Sequence, residues 1–130
     1  FELYGVNILE MFPDVQFYNY TKVFKYLENQ KNKQYPNYDL TYSFNGYNWK
    51  SCLKALNMNF RVAVVFEKIP TTFDGITVIN GDKYDARYKD DKNVIVGLHF
   101  KQNENSVVNN KFTIPDTPFV IKKDDARCTY

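Results

Sequence analysis

Residues that commonly bind metals are scarce in this chain. It contains one histidine and two cysteines, with no CxxC spacing, so we expect no metal site. Its net charge is only +2, from 17 basic and 15 acidic residues, which is too small for a broad basic nucleic-acid surface. No apolar run approaches the roughly 18 residues of a membrane span, so we expect no membrane association.

Recognisable catalytic motifs are also missing. The sequence has no glycine-rich phosphate loop, no nucleophile elbow and no Cys–His pair. It therefore neither identifies an enzyme nor excludes one, and the catalytic residues and cofactors stay unknown. We interpret Cys52 and Cys128 as two reduced thiols, because disulfide-dependent scaffolds of this size usually carry more cysteines. A single bridge is the alternative if the chain is secreted.

Aromatic residues, in contrast, are abundant. Eleven Tyr, eleven Phe and one Trp make up 18% of the 130 residues. Tyr and Phe suit half-buried strands and the edges of a core, and packing is the simplest interpretation. The alternative is that some tyrosines form a stacking surface for bases or sugars.

The first half of the chain alternates predicted strands with predicted helices. β-branched and aromatic residues predict strands at residues 15–20, 39–44 and 60–66, the last of them apolar on successive positions and so buried on both faces. Apolar side chains at helical spacing predict helices at 22–30, with Thr21 as its N-cap, and at 49–56. Alternation of this kind is typical of βαβ units, so we predict an α/β fold with a mostly parallel central sheet.

The two ends of the chain are less regular. Residues 2–11 are loosely helical in pattern, and Pro13 stops them. Further strands are predicted at 75–79 and 93–100, and residues 111–130 read as an extended tail. No repeat or boundary divides the chain, so we predict one α/β domain over residues 1–130.

The predicted sheet places candidate binding residues at one edge. Ligands of parallel α/β sheets bind outside the carboxyl ends of the strands, where loops and helix N-termini converge. The residues that this rule selects are Thr21, Lys22, 43–46, Glu67, Lys68, His99 and Lys101. His99 would need a carboxylate from another segment to act as a general base, and a packed strand histidine is the plainer interpretation.

The segment 80–91 is the densest polar cluster of the sequence. After a tight turn at Gly81, carboxylates and cations alternate, and Asp82 and Asp85 suit a polar substrate, a metal or an arginine, while Arg87 suits an anion. The alternative is a surface loop in which an aspartate simply pairs with Arg87. We name Lys22, Gly81, Asp82, Asp85, Arg87 and His99 as the candidate ligand-binding residues.

Several segments together resemble the C-terminal part of a phage-encoded family, the gene product eighty-eight-like proteins. They are FPDVQFYNYTK at 12–22, FRVAVVF at 60–66, NGDKYDARY at 80–88 and VIVGL at 94–98, followed by Cys128. The resemblance implies that a region with further cysteines precedes Phe1, and that the chain is a fragment or a shortened relative. Tyr84 stands where the family pattern has a histidine, which argues against a catalytic or metal-binding role for that segment. A partial α/β barrel would suit the same strand and helix layout.

The resemblance also suggests a function. Some members of the family are labelled as replication-associated, so the first hypothesis is a phage accessory protein that binds nucleic acid or nucleotides. The alternatives are a non-enzymatic module that binds or inhibits a host protein, and a structural component of a viral particle. The expected location is the cytoplasm of the host cell or, for the last alternative, the virion.

Overall fold

A computed structural model of the chain describes residues 2–3, 6–33, 35–82, 92–100 and 117–130. It has an α/β fold, as the sequence predicts, with a largely parallel sheet and three helices among the described residues. The strands are β1 (Glu2–Leu3), β2 (Val6–Asn7), β3 (Phe17–Thr21), β4 (Tyr38–Ser43), β5 (Arg61–Phe66), β6 (Thr72–Phe73), β7 (Ile76–Asn80), β8 (Ile95–His99), β9 (Val120–Ile121) and β10 (Cys128–Thr129). The helices are α1 (Ile8–Met11), α2 (Phe24–Lys33) and α3 (Trp49–Asn57).

Eight of the described strands form one sheet in the order β10-β6-β7-β8-β5-β4-β3, with β9 as a further partner of β5. The pairs β3–β4, β4–β5, β5–β8, β7–β8 and β5–β9 are parallel, whereas β6–β7 and β6–β10 are antiparallel. The predicted mostly parallel sheet is therefore confirmed. Its described strands form an open sheet with β10 and β3 at the edges, and it does not close into a barrel.

Strand β5 lies at the centre of the core. Five of its six residues are buried, including Val62, Val64 and Phe66 at 0% exposure. Its first half pairs with β4 and its second half with β9, so two short strands share one side of it. Helices α2 and α3 contact each other and cover β4 and β5. The prediction that this strand is buried on both faces is confirmed.

The predicted helix at residues 2–11 is wrong over most of its length. Residues 2–7 contain the short hairpin β1–β2, and the helical part is the four-residue α1. Asn7 caps this helix by accepting a hydrogen bond from the Leu9 amide at 2.9 Å. The Asn37 side chain then donates to the main-chain carbonyls of Leu9, Phe12 and Val15. A tertiary contact that sequence periodicity cannot reveal therefore replaces the next turn of helix.

None of the helices among the described residues is long and apolar enough to cross a membrane. Strands β6, β9 and β10 have two residues each and were not predicted. The last two lie within the segment predicted as an extended tail, where β9 inserts beside β5 and β10 adds to the outer side of β6.

Candidate functional site at the carboxyl edge

The parallel pairing brings the carboxyl ends of β7, β8, β5, β9, β4 and β3 to one edge of the sheet. This edge carries most of the polar residues that the sequence selects. Two groups of side chains stand out there. One surrounds Asp82 and His99 at the ends of β7 and β8, and the other lines a cleft beside the ends of β4 and β9.

The first group is built on the β7–β8 pair. The buried Gly81 amide donates to the Gly97 carbonyl at 2.8 Å, which continues the ladder beyond β7. Asn80 accepts a hydrogen bond from the Asp82 amide at 2.9 Å. This turn brings the Asp82 carboxylate to the His99 amide, with the nearer oxygen at 3.3 Å. Gly81, Asp82 and His99 are therefore close together, with Gly81 in a main-chain role.

The His99 ring is oriented by a main-chain group. Its Nε2 lies 3.0 Å from the Glu67 carbonyl oxygen. Because a carbonyl can only accept, Nε2 carries the proton, and in the neutral ring Nδ1 is the acceptor. Glu67 in turn accepts a hydrogen bond from the Lys123 amide at 2.9 Å, which ties the end of β5 to the end of β9. Within the described residues, the His99 ring therefore bonds a main-chain carbonyl and not the carboxylate that we expected a general base to need.

Lys22, a predicted site residue within the described part of the chain, lies away from this group. Lys22 is exposed and follows β3, the outermost strand on one side of the sheet. Strands β4 and β5 lie between β3 and β8. Asp85 and Arg87 lie outside the described residues, as does Lys101. Thr21 is not the N-cap of α2, which starts at Phe24; its hydroxyl accepts a hydrogen bond from the Val23 amide at 3.0 Å.

The second group lines a cleft of about 400 Å³. Its walls are the loop after β4, the first residue of α3, and the chain on both sides of β9. The residues are Phe44, Gly46, Tyr47, Trp49, Thr117, Pro118, Val120, Ile121, Lys122, Asp125 and Arg127. We call this space the carboxyl-edge cleft.

The loop that carries Tyr47 is held by side-chain amides. The Asn48 side chain accepts from the Asn45 amide at 2.8 Å and donates to the Ser43 carbonyl at 3.1 Å. Asn45 accepts from the Tyr47 amide at 2.9 Å. Asn48 is the residue before α3, but its side chain makes no capping hydrogen bond and braces the loop instead. The Tyr47 side chain projects from this braced loop with 85% of its surface exposed.

Aromatic rings form the base of the same region. Trp49 packs edge-on against Phe44, with 5.8 Å between centroids, and against Phe73, at 5.1 Å. Its indole N–H donates to Asp74 at 2.9 Å, so the ring has a fixed orientation. The Arg127 guanidinium lies 4.6 Å from the Phe73 ring centroid, a cation–π contact. The aromatic side of the cleft is therefore rigid.

Charge and an unsatisfied hydroxyl occupy the other side. Arg127 forms a hydrogen-bonded ion pair with Asp125, whose pKa is lowered mainly by that bond. Lys122 adds a second cation to the lining. The Thr117 hydroxyl is buried and has no hydrogen-bond partner within the described residues. A ligand in the cleft could satisfy that hydroxyl, since buried polar groups normally find a partner.

Cys52 does not contribute a nucleophile. Cys52 and Cys128 are both free. Burial raises the pKa of Cys52 to about 12, so at neutral pH this side chain is a protonated, inaccessible thiol. The described residues also contain no group of three or more His, Cys, Asp or Glu side chains that could hold a metal ion.

The fold and the residues at its carboxyl edge define an α/β protein. Its sheet is open and mostly parallel, and polar and aromatic side chains cluster at the carboxyl ends of the strands. The sequence model of the gene product 88 family matches residues 2–122, so the chain belongs to this family of phage proteins. The match covers most of the chain, whereas the motifs alone predicted a resemblance only to the C-terminal part of the family. No curated protein and no solved structure matches the chain.

The sequence did not identify Tyr47, Trp49, Thr117, Lys122 or Arg127 as site residues. They meet only because β9 pairs with β5 next to the end of β4, a contact between distant parts of the chain. One signal was available, since Asn45-Gly46 is a typical turn sequence directly after the predicted strand 39–44, and a tyrosine that follows such a turn is expected at the surface.

Proposed function

We propose that this protein binds nucleotides or single-stranded nucleic acid in the carboxyl-edge cleft, as an accessory protein of a phage. The observation that carries the proposal is the ring of Tyr47, 85% exposed on a braced loop at the mouth of an aromatic cleft. Base stacking on such a ring contributes about 1–3 kcal/mol per base, and it accepts any base because each has a π face.

The rest of the cleft suits the polar parts of a nucleotide. Lys122 lines the cleft and supplies a cation for a phosphate, and the buried Thr117 hydroxyl could bond a base edge or a ribose oxygen. Because Asn45 and Asn48 already hold the loop, little ordering entropy is lost on binding. The position also agrees with the general location of ligands at the carboxyl ends of parallel strands.

The low net charge of the protein predicts which interaction supplies most of the free energy of nucleic-acid binding. With a net charge of +2 the protein releases few counterions on binding a nucleic acid, so stacking must supply much of the free energy. The dependence of affinity on salt concentration should therefore be shallow, with a slope that corresponds to one or two phosphate contacts.

Fluorescence anisotropy with a labelled single-stranded oligothymidylate, and thermal shift with ATP and dTTP, test this proposal. Tyr47→Ala should weaken oligonucleotide binding by roughly tenfold or more, because it removes one stacking partner. Tyr47→Phe keeps the ring and should retain most of the affinity. Tyr18→Ala is the matched control, because it removes a tyrosine that is 45% exposed on the edge strand β3, outside the cleft.

Two results would count against the proposal. The first is no binding of the oligonucleotide or of either nucleotide by the unmodified protein. The second is equal weakening by Tyr47→Ala and Tyr18→Ala. If Asp82→Ala alone abolishes binding and Tyr47→Ala does not, the site lies instead at the ends of β7 and β8.

A second candidate function is protein binding. Six large apolar or aromatic side chains that are exposed by about half fall within residues 11–26, on or next to α1, β3 and α2: Met11, Phe12, Val15, Tyr18, Val23 and Tyr26. Exposed apolar groups of this kind are typical of interaction surfaces when they form one patch. A pull-down from host lysate tests this candidate: Phe12→Ser should lose a partner that the unmodified chain retains in stoichiometric amount, and absence of any such partner argues against it.

A further inference from the structure

A second cleft, of about 520 Å³, lies between the edge strand β3 and helix α2. Its polar lining consists mainly of neutral side chains, among them Asn19, Asn29, Gln30, Tyr26, Tyr35 and Tyr38. Among the described lining residues, Lys33 is the one cation and none is a carboxylate. We call this space the edge-strand cleft. Neutral amides and phenols in such density select against strongly charged ligands, because a buried charge needs a partner of opposite sign.

Gln30 gives the edge-strand cleft a hydrogen-bond acceptor of fixed orientation. Its side-chain amide group donates to the carbonyls of Tyr35 and Tyr38, at 2.9 and 2.7 Å. Since carbonyls only accept, these two bonds fix which end of the amide is the oxygen. That oxygen, Oε1, is buried and has no partner within the described part of the chain. A buried acceptor without a partner is unfavourable, so a ligand that donates a hydrogen bond to it gains affinity.

The phenols are held in place in the same way. The Asn7 side chain donates to the Tyr35 hydroxyl at 2.7 Å. Burial raises the pKa of Tyr38, so its hydroxyl stays protonated. Tyr26, 55% exposed on α2, presents an aromatic face at the rim. The edge-strand cleft therefore combines ordered amides and hydroxyls, which both donate and accept, with an open ring.

We infer that the edge-strand cleft is a binding site for a neutral saccharide. A sugar hydroxyl both donates and accepts, as the lining amides do, and it can bond Gln30 Oε1 once a small shift of the lining uncovers that buried oxygen. The C–H face of a pyranose ring packs against an aromatic ring such as that of Tyr26. The volume of about 520 Å³ falls within the usual range for small-ligand sites and accommodates one or two sugar units. This site is separate from the carboxyl-edge cleft.

Titration of the ¹⁵N-labelled protein, followed by NMR, tests the inference, with glucose, N-acetylglucosamine and maltose as probes and adenosine as comparator. We expect a saturable shift of the Gln30 side-chain amide and of the Asn29 main-chain amide with at least one sugar, at concentrations up to about 10 mM, where weak ligands bind. Tyr26→Ala and Asn29→Ala should each raise the Kd of that sugar about tenfold. Both residues are exposed on α2, so these variants should fold.

Tyr18→Ala is again the control, and it should leave the Kd for the sugar unchanged. Three results overturn the inference. They are the absence of a saturable shift with all three sugars, equal weakening by Tyr18→Ala and Tyr26→Ala, and shifts at the edge-strand cleft with adenosine alone. The last result would assign the cleft to a nucleoside.

Discussion

Arg61 is the most unusual residue of the core. It is 1% exposed at the start of β5, where its guanidinium binds both carboxylate oxygens of Asp39, which is 10% exposed. The parallel register pairs Thr41 with Arg61, and this places Asp39 near the guanidinium. A two-pronged, hydrogen-bonded pair of this kind offsets much of the cost of removing two charges from water.

Removing one partner of the Asp39–Arg61 pair should destabilise the protein far more than replacing both partners with apolar residues. Asp39→Ala takes the two-pronged carboxylate away from a buried guanidinium and should lower the free energy of unfolding by about 3–5 kcal/mol. The double variant Asp39→Leu with Arg61→Met should recover most of that loss, because no buried charge remains. Urea denaturation followed by circular dichroism measures both effects.

The surface pair of Asp125 and Arg127 provides the control for this experiment. Its oxygen and nitrogen lie 2.9 Å apart, but the Arg127 side chain is 37% exposed. Asp125→Ala should therefore cost about 1 kcal/mol or less. Equal losses from Asp39→Ala and Asp125→Ala would show that burial of the first pair has no energetic consequence.

Sequence reasoning could not reveal this pair. Arg61 reads as an ordinary polar residue at the start of a strand, and Asp39 lies 22 residues earlier in another predicted strand. The apolar pattern of residues 60–66 predicts burial of the strand, but partner choice depends on the register between strands, which the pattern does not contain.

Among the secondary-structure elements, β9 has the largest effect on the candidate site. Its approach to the loop after β4 depends on Gly46, which has φ +100°. A Cβ at Gly46 would lie 2.8 Å from the main-chain carbon of Pro118 and 2.9 Å from the Phe119 nitrogen. Gly46 is thus required both by its conformation and by the close passage of the chain that leads into β9.

Gly46→Ala should destabilise the protein and disturb the carboxyl-edge cleft. We expect a loss of about 2–4 kcal/mol, from positive-φ strain together with the displacement of main-chain atoms. Gly75→Ala separates the two causes, because Gly75 has φ +76° but no atom within 4 Å of its added Cβ. It should cost only the strain, about 1 kcal/mol.

Thermal unfolding of the two variants, with oligonucleotide anisotropy as a second measurement, makes the comparison. Gly46→Ala should weaken oligonucleotide binding, whereas Gly75→Ala should leave it unchanged. If the two variants are equally stable, the close passage of Pro118 past Gly46 contributes nothing to stability.

At this scale the longer elements were predictable and the shortest were not. The strands β3, β4, β5, β7 and β8 and the helices α2 and α3 follow from periodicity and turn residues, within a few positions. Strands of two residues contain no period at all. They exist because a neighbouring main chain pairs with them, as β5 does with β9.

For the whole molecule, alternation of strands and helices was enough to predict a parallel sheet, and the carboxyl-end rule selected the edge at which the candidate site is proposed. The cleft at that edge was not predictable, because residues 44–49 meet residues 117–127 only after the sheet has formed. Lys22 illustrates the reverse case. It follows a strand as the rule requires, but that strand is the outermost strand β3, which β4 and β5 separate from the strand of His99.

Deletion of residues 117–130 should prevent stable folding. It removes β9 and β10, which exposes the second half of β5 and the outer side of β6. An exposed apolar strand edge promotes association between chains. Size-exclusion chromatography and circular dichroism should show aggregated or unfolded protein.

A shorter deletion, of residues 127–130, is the matched control. It removes β10 but keeps β9, and we expect a folded protein of reduced stability. If the longer deletion is as soluble and cooperative as this one, the pairing of β9 with β5 is dispensable.

The pairing of β9 with β5 also bears on the order of events at the ribosome. Synthesis runs from the amino end, so β5 leaves the exit tunnel well before residues 120–121 exist. Until then, β9 does not cover the apolar second half of β5. The main-chain groups that later bond Ile121 are open to contact with other molecules. The nascent chain would therefore depend on chaperones or on rapid elongation, and slow codons between residues 67 and 119 should lower the yield of native protein.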